Sequence, residues 1–175
     1  MRAIHEAGHA VVARKLGLIV NHIHARSDHP SVMHPSAGYA AAGTDAATQI
    51  SGYEKDAMVA LAGLEANKRE YDIPPVDVLN EANEDIQNFR SAAYRIICLQ
   101  DGQPVPRGEF SVEADQALEN KIWETYHRLM HKTAALVERH WPAIQRVAKH
   151  LERHDRIEDQ ATLDGLIEWA EANRP

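Results

Sequence analysis

Residues 5–13 read His-Glu-Ala-Gly-His-Ala-Val-Val-Ala, and the first five decide how the chain is organised. On a helix, positions four apart share a face, so His5 and His9 can aim imidazole nitrogens at one metal ion. Glu6 sits beside the first of them, where a carboxylate can take a proton from a water activated by the metal. A His-Glu-x-x-His helix is therefore a zinc pattern with a built-in general base: metal ligands His5 and His9, catalytic Glu6. Val12 and Leu16 continue the two-histidine face, so the spacing predicts that this face looks inward and that the ion sits in a dry, shaped site.

With 11 histidines in 175 residues, other pairs provide a comparison. His127/His131 and His150/His154 have the same spacing but no Glu after the first histidine. Both lie in charged, amphipathic stretches and read as solvated or packing residues. His22, His24, His29 and His34 cluster early, and surface or supporting roles are expected for them.

The length suits one domain spanning 1–175 and allows a real core. Within it, 1–100 reads as a zinc-binding part and 110–175 as a C-terminal helical part. The net charge of −7 argues against nucleic acid as a partner, because phosphate binding needs a basic face. A single cysteine, Cys98, excludes an internal disulfide framework and fits a reducing compartment. The apolar runs fall short of a membrane span and no signal peptide precedes the motif, so no membrane partner and a cytoplasmic location are expected. A phosphate-binding G-x-x-x-x-G-K-[S/T] loop is missing; the pair Lys132-Thr133 lacks the upstream glycines. Any activity should run without ATP, or with an ATPase on another chain.

Along the chain, residues 3–16 read as the metal-binding helix, ended near Gly17. Residues 19–25 alternate as a strand does, 27–36 form a proline-containing loop, and 38–41 suggest a second short strand. A helix is predicted over 46–70, where Gly63 allows a close helix–helix approach. After a break at 71–75 comes a helix over 77–99, then a Gly/Pro loop at 100–109. A long helix follows over 112–139, another starts at Pro142, and a last one is capped by Thr162, with Leu163, Leu166, Ile167 and Ala170 on one face.

A catalytic zinc usually keeps three protein ligands and a water, so a third ligand is required. In the helix over 77–99 the apolar stripe runs Val78, Ala82, Phe89, Ala93 and Ile96. Asp85 falls roughly 60° from the stripe's centre, Glu81 roughly 100° and Glu84 roughly 160° at the helical period. Asp85 is thus a carboxylate beside the inward face, where an unpaired charge is costly and needs a partner. An arginine, a helix N-terminus or the metal would serve. Glu81-x-x-x-Asp85 also matches the thermolysin-like pattern in which the first acid binds the ion, so both Asp85 and Glu81 remain open on spacing.

HEAGHAVVA at 5–13 resembles the zinc motif of FtsH-type AAA+ metalloproteases. Collinear with it, SAGYA at 36–40 is similar to that family's edge strand. LAGLEA at 61–66 resembles its leucine-glycine helix with the usual arginine and paired acids altered. EANEDI at 81–86 resembles the segment whose aspartate is the third zinc ligand, and that aspartate falls on Asp85. ATLDGLI at 161–167 is similar to its closing helix start. The family's ATPase module and membrane helices have no counterpart in these residues. Glu84 and Glu81 replace its asparagine and glycine near the third ligand, and the segment from Cys98 to Phe110 is compressed.

The resemblance implies a mainly α (α+β), zincin-like peptidase domain with a two- or three-stranded sheet and a C-terminal helical bundle. It implies Zn²⁺ held by His5, His9 and Asp85, and unfolded polypeptide as substrate, paired along an edge strand at Gly38 and Tyr39. The expected activity is a zinc metalloendopeptidase independent of ATP. The rivals are a catalytically silent zinc-bound regulatory module and a peptidase subunit served by a separate ATPase. A homo-oligomer is left open.

Overall fold

A computed structural model of the chain describes residues 2–25, 31–33, 44–71, 84–106 and 115–173. Among them the fold is mainly α, with one small sheet. The helices are α1 (Arg2–Lys15), α2 (Ala46–Tyr71), α3 (Glu84–Gln100), α4 (Gln116–Arg139), α5 (Trp141–His154) and α6 (Gln160–Ala172). The strands β1 (His22–His24), β2 (Ser31–Met33) and β3 (Arg156–Ile157) form an antiparallel sheet in the order β2-β1-β3. Its register pairs Ile23 with both Val32 and Ile157. No described helix is long and apolar enough to cross a membrane.

Local chemistry sets the helix ends. Gly17, at φ +79°, closes α1 in a left-handed turn in which Gly17 N–H donates to Arg14 O and Leu18 N–H to Ala13 O. Glycine adopts that backbone without the Cβ penalty. Asp115 caps α4, its side chain accepting from Leu118 N–H at 2.9 Å. The cap of α6 is Asp159 rather than Thr162: the aspartate accepts from Thr162 N–H at 2.8 Å. Asp and Thr both cap well, and here the acid three residues earlier takes the bond.

Helix α2 is the shared wall of the molecule. One side, with Val59, Ala62 and Ala66, packs with α1, α5, α6, Ile23 and Ile157. The other, with Tyr53, Ala57 and Leu61, meets Phe89, Ala93 and Ile96 of α3 and Ile122 and Leu129 of α4. Burying the larger of these side chains contributes about 1.5–3 kcal/mol each, while the alanines let the helices approach closely. The C-terminal helices close over the N-terminal ones: α5 packs on α1 and α4 on α2. Arg14 on α1 bonds Asp164 on α6 through two nitrogens, at 2.7 and 2.9 Å. Arg90 on α3 likewise grips Glu119 on α4.

Two strand expectations change. The loop read over 27–36 contains β2, and β3 lies in the charged turn after α5. Both are two or three residues long, too short to show alternation, and both exist by pairing with Ile23. The first strand is confined to His22–His24. The second strand expected at 38–41, with Gly38 and Tyr39, lies outside the described residues. So do 77–83 of the helix read over 77–99, including Glu81, and His29 and His34.

Candidate metal centre

Glycine on each of two helices brings the site together. A Cβ on Gly8 would lie 2.7 Å from Ala62 O and 2.8 Å from Ala66 Cβ, so α1 touches the backbone of α2 there. A Cβ on Gly63 would lie 2.5 Å from His9 Nε2 and 2.6 Å from His5 Cε1. Both imidazoles therefore occupy the space that any side chain at 63 would need. The sequence reading of Gly63 as a close-approach position holds, and the group approaching it is the histidine pair.

Each ring is oriented by α2. His9 Nδ1–H donates to Val59 O at 2.6 Å, which leaves the Nε2 lone pair free. On His5, Nδ1 lies 3.0 Å from Asn67 Nδ2, while Asn67 Oδ1 is buried without a hydrogen-bond partner. Half a turn of that amide would present Oδ1 to Nδ1–H of His5, the tautomer that leaves His5 Nε2 for a metal.

The two Nε2 atoms meet a carboxylate from the first turn of α3. His5 Nε2 lies 2.9 Å from Asp85 Oδ2, His9 Nε2 lies 3.4 Å from Asp85 Oδ1, and the two Nε2 atoms are 3.0 Å apart. Three electron-rich atoms this close repel one another unless a cation, proton or metal, lies among them. A tetrahedral ion with bonds of about 2.0–2.1 Å holds its ligand atoms about 3.3 Å apart, close to these separations. Among the described residues, His5, His9 and Asp85 are the one group of three His, Cys, Asp or Glu side chains placed to hold a metal.

Glu6 is 4 % exposed and lies at the same place, within the fields of His9, His5 and Asp85. Burial raises its pKa, against the lowering pull of the two histidines. A carboxylate whose pKa is raised by burial is a stronger base than an exposed one.

The charges have a consequence for pH. Burial pulls His9 down, but bonding to Asp85, the charges of Asp85 and Glu6, and the Val59 carbonyl leave it above its ordinary 6.5. Burial pushes Asp85 up, yet the two histidines hold it well below its ordinary 3.8. Stability from charged His9 is fully present below pH 6.5 and lost as pH rises through its raised pKa. That from Asp85 is present above pH 3.8 and lost as pH falls through its lowered pKa. Without metal the cluster therefore stabilises the fold most in mild acid. A divalent ion needs both imidazoles unprotonated, so the rise in Tm on adding it should be small at about pH 5.5 and large at about pH 8. A rise independent of pH, measured by differential scanning calorimetry, would put the ion elsewhere.

Of the residues singled out from sequence, His5, Glu6, His9 and Asp85 come together. Glu84 is exposed, as its wheel position implies. His22 and His24 sit on β1 with ring centroids 5.1 Å apart, outside this cluster. The sequence reading missed Asn67 and the Val59 carbonyl. A signal for Asn67 existed: it stands four residues after Gly63, a polar residue on a face otherwise made of Val59, Ala62, Gly63 and Ala66. The chain matches no family model and no curated protein.

Proposed function

We propose that the chain is a zinc-dependent metalloendopeptidase that hydrolyses unfolded polypeptide without ATP. The observation that carries this is the convergence of His5 Nε2, His9 Nε2 and an Asp85 carboxylate beside a buried glutamate with a raised pKa. Two imidazoles and one carboxylate favour zinc over the harder magnesium and calcium, which prefer oxygen ligands throughout. The collinear resemblance of 5–13, 36–40, 61–66, 81–86 and 161–167 to FtsH-type metalloproteases supports the same reading.

His5, His9 and Asp85 would hold the zinc, which when bound would supply Lewis acidity toward a carbonyl and a water. Glu6 takes the proton of the attacking water and delivers it to the leaving amine. His9, fixed by Val59 O, and His5, fixed by Asn67, keep their Nε2 atoms turned to the ion. Gly38 and Tyr39 are the sequence-based candidates for pairing with an extended substrate.

The test compares one protein in its folded form and as a permanently unfolded variant, with and without ATP. Without a motor, a folded substrate is cut only while open, about 10⁻³ of the time or less. The unfolded variant should be cleaved, the folded form should resist, and ATP should change neither rate. Equal cleavage of both forms would contradict this substrate class. ATP stimulation of the pure chain would contradict the energy independence. No cleavage by the zinc-loaded chain would favour a regulatory module, and activity restored by a co-purifying ATPase would favour a served subunit.

A further inference from the structure

Helix α5 carries a basic stripe in a chain whose net charge is −7. At the helical period Arg146, Lys149, His150, Arg153 and His154 fall within about 140° of arc, turned away from Ile144, Val147 and Leu151. Glu152, the one acid of α5, falls outside that arc. Elsewhere Arg14, Lys15, Arg69, Arg90, Lys121 and Arg128 each reach a carboxylate. On α5, no described acid pairs with Arg146, Lys149 or Arg153.

The stripe runs into an aromatic surface. The Arg146 guanidinium lies 4.2 Å from the ring centroid of Trp169 on α6, and its Nε is buried with no hydrogen-bond partner. Trp169 itself is 53 % exposed. Three cations without acids, two imidazoles and an open indole thus share one surface across α5 and α6.

We infer that this surface docks a short acidic segment of another polypeptide, with Asp or Glu along it and an apolar side chain for Trp169. The charges are complementary, and in a net-acidic protein a local basic stripe attracts within about 8–10 Å. Tryptophan is among the commonest interface anchors, and here cations rim it. The stripe spans about 12 Å at the helical rise, the length of about four extended residues. A lipid surface fits less well: amphipathic helices bind it by inserting their apolar side, and that side of α5 lies in the core with Val11 and Val12 of α1. Nucleic acid fits less well because its dense phosphates meet the net charge of −7. The inference is independent of the proposed peptidase activity.

The experiment titrates the full chain into a fluorescein-labelled peptide of Asp and Glu interrupted by leucine, and reads anisotropy. Wild type should bind it, more weakly as salt rises. A lysine peptide of equal length, an RNA oligonucleotide and phosphatidylserine vesicles should bind more weakly at the same salt. Lys149→Ala with Arg153→Ala, both at exposed helical positions, should weaken acidic-peptide binding about tenfold. Lys121→Ala with Lys132→Ala, the same change of charge on α4, should leave it within about twofold. Trp169→Ala should weaken it about tenfold at high and low salt alike. Equal affinities of the two double variants, wild-type affinity in Trp169→Ala, no binding by wild type, or tighter binding of RNA or vesicles would overturn the proposal.

Discussion

Glu6→Gln is expected to keep the metal and to lose hydrolysis of unfolded polypeptide by about 10²–10⁴-fold, the usual loss of a general base. The amide has nearly the shape of the acid, so α1 and both imidazoles stay in place. It removes the basic oxygen from a position only 4 % exposed, where bulk water is a poor substitute. It also removes a negative charge that helps hold His9 protonated without metal. Proton competition at His9 therefore falls, and metal affinity should not drop through that cause. Parallel measurements of metal content and initial rate check both halves. Cleavage at the wild-type rate would remove Glu6 from the chemistry, and loss of the metal would make its role structural.

Gly63→Ala should lose the metal although it adds a better helix former. Alanine favours a helix interior by about 0.8–1.0 kcal/mol over glycine. At this position its Cβ would lie 2.5 Å from His9 Nε2, the nitrogen that a metal would need. The imidazole is rigid and held by Val59 O, so either α1 moves off α2 or His9 turns away. Displacing the orientation of a ligand typically costs 10–100-fold in affinity, and about that much or more is expected here. Gly165→Ala on α6 is the control: nothing lies within 4 Å of the added Cβ. It should gain up to about 1 kcal/mol in stability and keep the metal. A zinc competition titration with a chromophoric chelator compares the two. Wild-type affinity in Gly63→Ala would mean that the rings do not bind metal in this arrangement.

Much of this was legible in the sequence because it rests on helical period. His5, Glu6 and His9 share a face by spacing alone. Asp85 was drawn inward by its angle to Phe89, Ala93 and Ile96, and it does sit beside the histidines. The stop at Gly17 and the close approach at Gly63 follow from what glycine permits. The sheet was less legible: β2 and β3 are held by partners distant in sequence, and Ser31–Met33 carries no pattern that separates it from its loop. The orienting groups were less legible for a similar reason. A backbone carbonyl such as that of Val59 has no side-chain signature, and Asn67 gains its meaning only when α1 crosses α2 beside it.

The most direct measurement is the initial rate of unfolded-polypeptide cleavage as zinc is added back, ion by ion, to the metal-free chain, for wild type and for Asp85→Ala. Wild type should rise in proportion to bound zinc and reach its plateau at about one tight ion per chain, since His5, His9 and Asp85 form one site. Asp85→Ala should bind zinc far more weakly and stay inactive over the same range. A wild-type chain that is inactive at full loading, a rate indifferent to zinc, or an Asp85→Ala curve that overlays the wild type would contradict a catalytic zinc held by these three residues.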